Sequence, residues 1–215
     1  MAKAASRRMV VEGEEDKFAI IELMGHHIVW PNDKLQAPVN IEIGRSAEEI
    51  LATSFISSKL KESGVNILGV VLDADDAFDH RWSRIYASCG DFFPGMPKIF
   101  PRTGLIVENE DGIRFGVWIM PDNKFHGMLE TFLKNLIPDT LEPLMTHAEI
   151  SLTRALELGA QCRGSHIDKA LIHTWLAWQD PPGQPLGRAL TKKILDPYHE
   201  HAKYFVTWFK NIYRL

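Results

Sequence analysis

Two runs of aliphatic residues set the frame of this chain. Arg8-Met9-Val10-Val11 ends at Glu12-Gly13, and Val65-Asn66-Ile67-Leu68-Gly69-Val70-Val71-Leu72 ends at Asp73-Ala74-Asp75-Asp76. Continuous rather than alternating apolar residues read as strands covered on both faces, the packing of a parallel sheet. Each run stops at acid. In open α/β sheets ligands bind beyond the carboxyl ends of such strands. If the two strands are neighbours, about 4.8 Å apart, Glu12 faces Asp73 and Asp75 across one edge of the sheet.

The remaining pattern fills in an α/β sequence of elements. Residues 14–30 carry Phe18, Ile21 and Ile28 on a helical stripe, broken at Pro31-Asn32-Asp33. Residues 39–43 predict a strand. Ser46 ahead of Glu48 and Glu49 predicts the N-cap of a helix running to about residue 63, with Gly64 ending it. A helix over 77–88 follows the second acid-tipped strand, then a Gly/Pro-rich connection. The segments 105–108 and 114–120, separated by Glu110-Asp111-Gly112, predict a hairpin that adds one antiparallel member to a parallel sheet. A helix is predicted over 124–136. Beyond Pro138 the pattern is helical, over 140–158, 165–179 and 190–214 with a break at Pro197. The expectation is therefore an α/β domain over 1–137, with a mostly parallel sheet of four to five strands sandwiched by helices. A C-terminal helical appendage over 138–215 packs on it, as a separate unit or as part of one domain.

Composition narrows the class. With 215 residues, 45% of them apolar, the chain can build a substantial core. No apolar run approaches bilayer-spanning length. The basic start leads straight into the first strand without a signal-peptide core, so a cytoplasmic location and no membrane partner are expected. Cys89 and Cys162 form no disulfide or metal spacing motif. A net charge of −4 excludes a purely electrostatic nucleic-acid binder. It leaves a nuclease open, because bound metal offsets acids. The basic pairs Arg7 and Arg8, Arg81 and Arg84, and Lys192 and Lys193 read as solvated surface.

Clustered carboxylates repel, so one of them takes up a proton at pH 7 unless a cation compensates. All-oxygen ligation favours Mg²⁺ or Mn²⁺ over zinc. The alternative for Asp73 to Asp76 is service as N-terminal acids of the next helix, which leaves Glu12 unexplained. Asp76 and Asp79 read as cap or surface. The nine histidines form no HExxH, and the chain has neither a P-loop nor a Gly-x-Ser-x-Gly elbow. Trp175, Trp178 and Trp208 are expected in the core between appendage and sheet.

Glu12-Gly13 followed by Asp73-Ala74-Asp75 resembles the Toprim signature of topoisomerases, DnaG-type primases and overcoming-lysogenization-defect (OLD) nucleases, over roughly residues 8–136. The segment 116–123 with Gly127-Met128-Leu129-Glu130 is similar to small stand-alone bacterial and archaeal Toprim-like proteins of unknown function. That resemblance implies a Mg²⁺- or Mn²⁺-dependent nuclease cleaving DNA or RNA, in phage defence or nucleic-acid processing, with a separate ATPase as a partner. It implies Glu12, Asp73 and Asp75 as metal-holding and catalytic residues, Asp122 and Glu130 as further metal ligands, and Lys169 as the late cationic residue. The alternatives are a primase-type nucleotidyl transferase, ranked lower for want of a zinc-binding module and a basic template face, and a non-catalytic nucleic-acid or nucleotide-binding subunit of an ATPase complex. A topoisomerase would need a nucleophilic tyrosine on another module. The oligomeric state is left open, a dimer among the options.

Overall fold

The computed structural model describes residues 6–52 and 54–215. A five-stranded sheet runs in the order β2-β1-β3-β5-β4. Its strands are β1 (Arg7–Val11), β2 (Asn40–Ile43), β3 (Ile67–Asp73), β4 (Leu105–Glu108) and β5 (Arg114–Met120). β1 pairs in parallel with β2 and with β3, β3 pairs in parallel with β5, and the β4–β5 hairpin supplies the antiparallel edge. The α/β class and the mostly parallel sheet are those read from the aliphatic runs.

Nine helices occur among the described residues: α1 (Glu14–Gly25), α2 (Ala47–Ile50), α3 (Phe55–Lys61), α4 (Phe78–Cys89), α5 (Leu129–Lys134), α6 (Glu142–Glu157), α7 (Ile167–Ala177), α8 (Leu186–Thr191) and α9 (Ala202–Tyr213). None is long and apolar enough to cross a membrane.

The period-2 geometry of strands sorts the apolar side chains onto two faces. Met9, Val11, Val71, Trp118 and Met120 join α1 and the C-terminal helices in one hydrophobic cluster. Val10, Leu68, Val70, Leu72, Val117 and Ile119 join α2, α3 and α4 in the other. Residues after 138 thus share a core with the first face of the sheet rather than closing one of their own.

Two glycines permit that contact. Gly69 and Gly116 are register partners on β3 and β5. A Cβ at Gly69 would lie 2.2 Å from the Tyr213 hydroxyl, and one at Gly116 would lie 2.3 Å from Ile212 Cδ1. α9 therefore lies directly against sheet backbone, and the Tyr213 hydroxyl donates to the Arg8 carbonyl at 2.8 Å.

Several expected helices are shorter than their pattern. α1 stops at Gly25, and a nitrogen of each following imidazole lies within hydrogen-bonding distance of a distant carbonyl, His26 Nε2 of Leu190 at 3.1 Å and His27 Nε2 of Pro197 at 2.8 Å. The helix expected from Ser46 does start there, with the Ser46 hydroxyl accepting from the Glu49 amide, but it divides into α2 and α3. The helix expected from 124 begins only at Leu129, because 122–127 form a turn with Asn123 at φ +63° and Gly127 at φ +138°. The last predicted helix is replaced by α8 and α9. Trp175 and Trp208 are buried as expected, whereas Trp178 is 42% exposed at the C-terminus of α7.

Candidate functional site

Because β1 and β3 are parallel neighbours, Glu12 and Asp73 arrive at the same edge of the sheet. Glu12 lies one residue past β1 and spreads its carboxylate over two backbone amides, accepting from Asp73 N at 2.8 Å and from Ala47 N at 3.1 Å. Asp73 accepts in turn from the amide of Leu129, the first residue of α5, at 2.9 Å. Asp16, in the first turn of α1, accepts from Gly13 N at 2.9 Å. Glu130 is 4% exposed and pairs with Lys169 Nζ at 2.8 Å. The same ammonium reaches Glu15 at 3.2 Å. Together with Arg45 and His166, Glu12, Asp16, Asp73, Glu130 and Lys169 line one cleft of about 380 Å³.

The electrostatics of the cleft follow from burying like charges together. Burial first, and then repulsion from Asp16, Glu12, Asp75 and Glu130, pushes the Asp73 carboxyl up to about 9. Burial likewise takes Glu12 to about 7 against the lowering effect of the Asp73 amide, with Asp16 and Asp75 adding repulsion and Arg81 opposing it. Asp16 rises to about 6, by burial first, against the amide of Gly13. The hydrogen bond to Glu130 holds the Lys169 ammonium above its ordinary range. Protons thus stand where a cation would relieve the same repulsion.

A carboxylate-only donor set of this charge suits Mg²⁺ or Mn²⁺ in kind. Among the described residues no three His, Cys, Asp or Glu side chains stand at ligating spacing. Both Glu12 oxygens and one Asp73 oxygen are instead engaged by backbone amides.

The other residues singled out in the sequence fall elsewhere. Asp75 is held at φ +47°, bonded through its backbone to Gly127 in both directions at 2.8 and 3.0 Å, with its carboxylate 2.8 Å from the Arg81 guanidinium. It borders a second depression of about 200 Å³, beside Asp76, His126, Thr131 and Asp168, rather than the Glu12–Asp73 cleft. Asp122, expected as a further ligand, lines neither depression. It is exposed, and its carboxylate accepts from the amides of Lys124 and Phe125, capping its own turn. Nor do Asp73 and Asp75 cap the next helix, whose N-cap is Ala77 with no side-chain bond.

Asp16 and Arg81 escaped sequence reasoning. Asp16 stands only four residues after Glu12, but at the start of a helix it looks like any first-turn acid. Arg81 reads as a surface charge, yet its side chain is only 8% exposed and bridges Asp75 and Glu48. Its nearness in sequence to Glu12 could have found the first. No local signal marks the second.

A family model described as a protein of unknown function (DUF3226) matches residues 6–214. No curated protein and no solved structure matches the chain.

Proposed function

The chain belongs to the DUF3226 family, and we propose that it is a Mg²⁺- or Mn²⁺-dependent phosphodiester hydrolase of Toprim type acting on nucleic acid. The observation that carries this reading is the convergence of Glu12, Asp16, Asp73, Glu130 and Lys169, from both halves of the chain, on one cleft at the carboxyl edge of a parallel sheet. When bound, a divalent cation there would neutralise phosphate oxygens and acidify water. Asp73 and Glu12 would hold it, with Asp16 and Glu130 beside them. Glu12 would otherwise serve as the base that takes a proton from the attacking water. Lys169, fixed against Glu130, would meet the negative charge that builds on the phosphoryl oxygens during transfer. Asp75 would act from the neighbouring depression, and Asp122 is assigned no part.

The test is incubation of the purified protein with DNA and RNA in Mg²⁺, in Mn²⁺ and in EDTA, beside Asp73→Ala. Cleavage should require the ion and Asp73. Cleavage that survives both EDTA and the substitution would reject the assignment. An accessory ATPase and a setting in phage defence belong to the same reading, and dependence of the rate on an added ATPase subunit would test them.

One observation favours a second reading. Both Glu12 oxygens already accept from backbone amides, which disfavours Glu12 as a base and favours a nucleotide- or nucleic-acid-binding subunit that does not cleave. Mg²⁺-dependent binding of oligonucleotide without any cleavage would select it. Template-dependent incorporation of nucleoside triphosphates would select the primase-type transferase instead.

A further inference from the structure

Lys169 reaches the acidic cleft from far along the chain, and the residue beside it ties its helix to α5. The residue before it, Asp168, sits in the first turn of α7 with its side chain one-quarter exposed. Its two carboxylate oxygens are shared between two residues of α5. Thr131 donates its hydroxyl to Oδ2 at 2.6 Å, and Lys134 Nζ lies 2.5 Å from Oδ1. The Thr131 oxygen also accepts from the Met128 amide at 3.1 Å.

The chain of bonds thus runs from α7 through Asp168 and Thr131 to the N-terminus of α5. That terminus is the element whose next amide, Leu129, binds Asp73 and whose Glu130 binds Lys169. The contact is tight at its centre, since a Cβ on Gly127 would lie 2.6 Å from the Thr131 hydroxyl oxygen.

Resting on the hydrolase reading above, we propose that Asp168 is a positioning residue. It locks α7 to α5 so that the Lys169 ammonium is held beside Glu130 at the cleft. Asp168 borders the neighbouring depression and does not line the cleft itself, so it acts through Lys169. A charged side chain bonded to both a hydroxyl and an ammonium is among the stronger polar contacts. A long lysine side chain left without that constraint has several rotamers to populate.

The consequence is coupling between Asp168 and Lys169. Asp168→Ala should lower kcat on the nucleic-acid substrate by about as much as Lys169→Met, with KM changed less than twofold. The double variant should be no worse than Lys169→Met alone, because both changes remove the same ammonium from the same place. Asp168→Asn, which keeps an oxygen for the Thr131 hydroxyl, should recover most of the rate. Multiplying losses in the double variant would overturn the proposal, as would a fall in KM and kcat together with failure of the asparagine rescue.

A crystal structure of Asp168→Ala decides the point without activity. Lys169 Nζ should lie beyond 4 Å from Glu130, against 2.8 Å in the parent. If the pair persists, Asp168 does not position Lys169. If the parent protein cleaves no nucleic acid, the hydrolase reading fails while this structural outcome still stands or falls by itself.

Discussion

Replacing Asp73 with asparagine removes one charge from the centre of the acid cluster yet keeps an oxygen for the Leu129 amide. In ion-free protein the change should stabilise the fold at alkaline pH. The carboxyl is pushed from 3.8 up to about 9, by burial first and then by its acidic neighbours. A folded-state value above the unfolded one means that stability is fully present below about pH 4 and is lost as pH rises towards 9. Each unit corresponds to about 1.4 kcal/mol. Because protons are shared among Asp73, Glu12 and Asp16, several of those units belong to the cluster rather than to Asp73 alone. That leaves a few kcal/mol, a large part of the roughly 5–15 kcal/mol that holds a domain folded.

A bound cation should offset part of the loss. At 10 mM Mg²⁺ and a Kd of about 1 mM, the linkage relation gives about 1.4 kcal/mol. In a chain of this length that raises Tm by about 3–6 °C. Differential scanning fluorimetry at pH 6 to 9, with MgCl₂ or with NaCl of equal ionic strength, reads both effects. The parent should lose Tm with rising pH and regain about 3–6 °C of it with Mg²⁺. Asp73→Asn should keep only the loss that Glu12 and Asp16 cause below about pH 7, stay flat from there to pH 9 and gain less than about 1 °C from Mg²⁺. A parent Tm that does not fall between pH 6 and 9, or an equal Mg²⁺ gain in the variant, would refute the reasoning.

Glu12→Ala leaves the amides of Asp73 and Ala47 without their acceptor, so urea unfolding at pH 5, where the cluster is mostly protonated, should show a loss of about 2–4 kcal/mol. Glu12→Gln retains one acceptor and should lose about half as much; equal losses would mean that the two bonds contribute little. Gly69→Ala presses a methyl group onto the Tyr213 hydroxyl and should cost about 1–3 kcal/mol. Combined with Tyr213→Phe, which clears that oxygen, it should cost less than the sum of the two single changes in urea melts. Cys89 is fully buried with its thiol pushed up to about 12, whereas Cys162 is partly exposed. Ellman's reagent should therefore titrate Cys162 alone in the native protein, with Cys89 reacting only in denaturant.

What the sequence alone determined was local: which runs are strands, which of them end in acid, where the hairpin turns and that Ser46 caps a helix. Buried strands require continuous apolar residues, and caps and turns need particular side chains within a few positions. Glu12 and Asp73 could be placed from that information, because two parallel neighbours must bring their carboxyl ends to one edge. Glu130 was within reach for the same reason, as the first turn of the next helix had to begin near that edge.

The tertiary structure decided the rest. Asp75 and Asp122 have the same side chain as Asp73, yet Arg81 and the Gly127 bridge draw one aside, and a turn of its own occupies the other. Asp16 and Lys169 enter the cleft because α1 and α7 pack where they do, and α9 can press on the sheet because Gly69 and Gly116 fall side by side in register. Each of these outcomes depends on which backbone amide, guanidinium or carboxylate arrives from a distant segment. Hydrogen bonding and Coulomb repulsion act over a few ångströms of space, so residue order along the chain constrains them only through the packing.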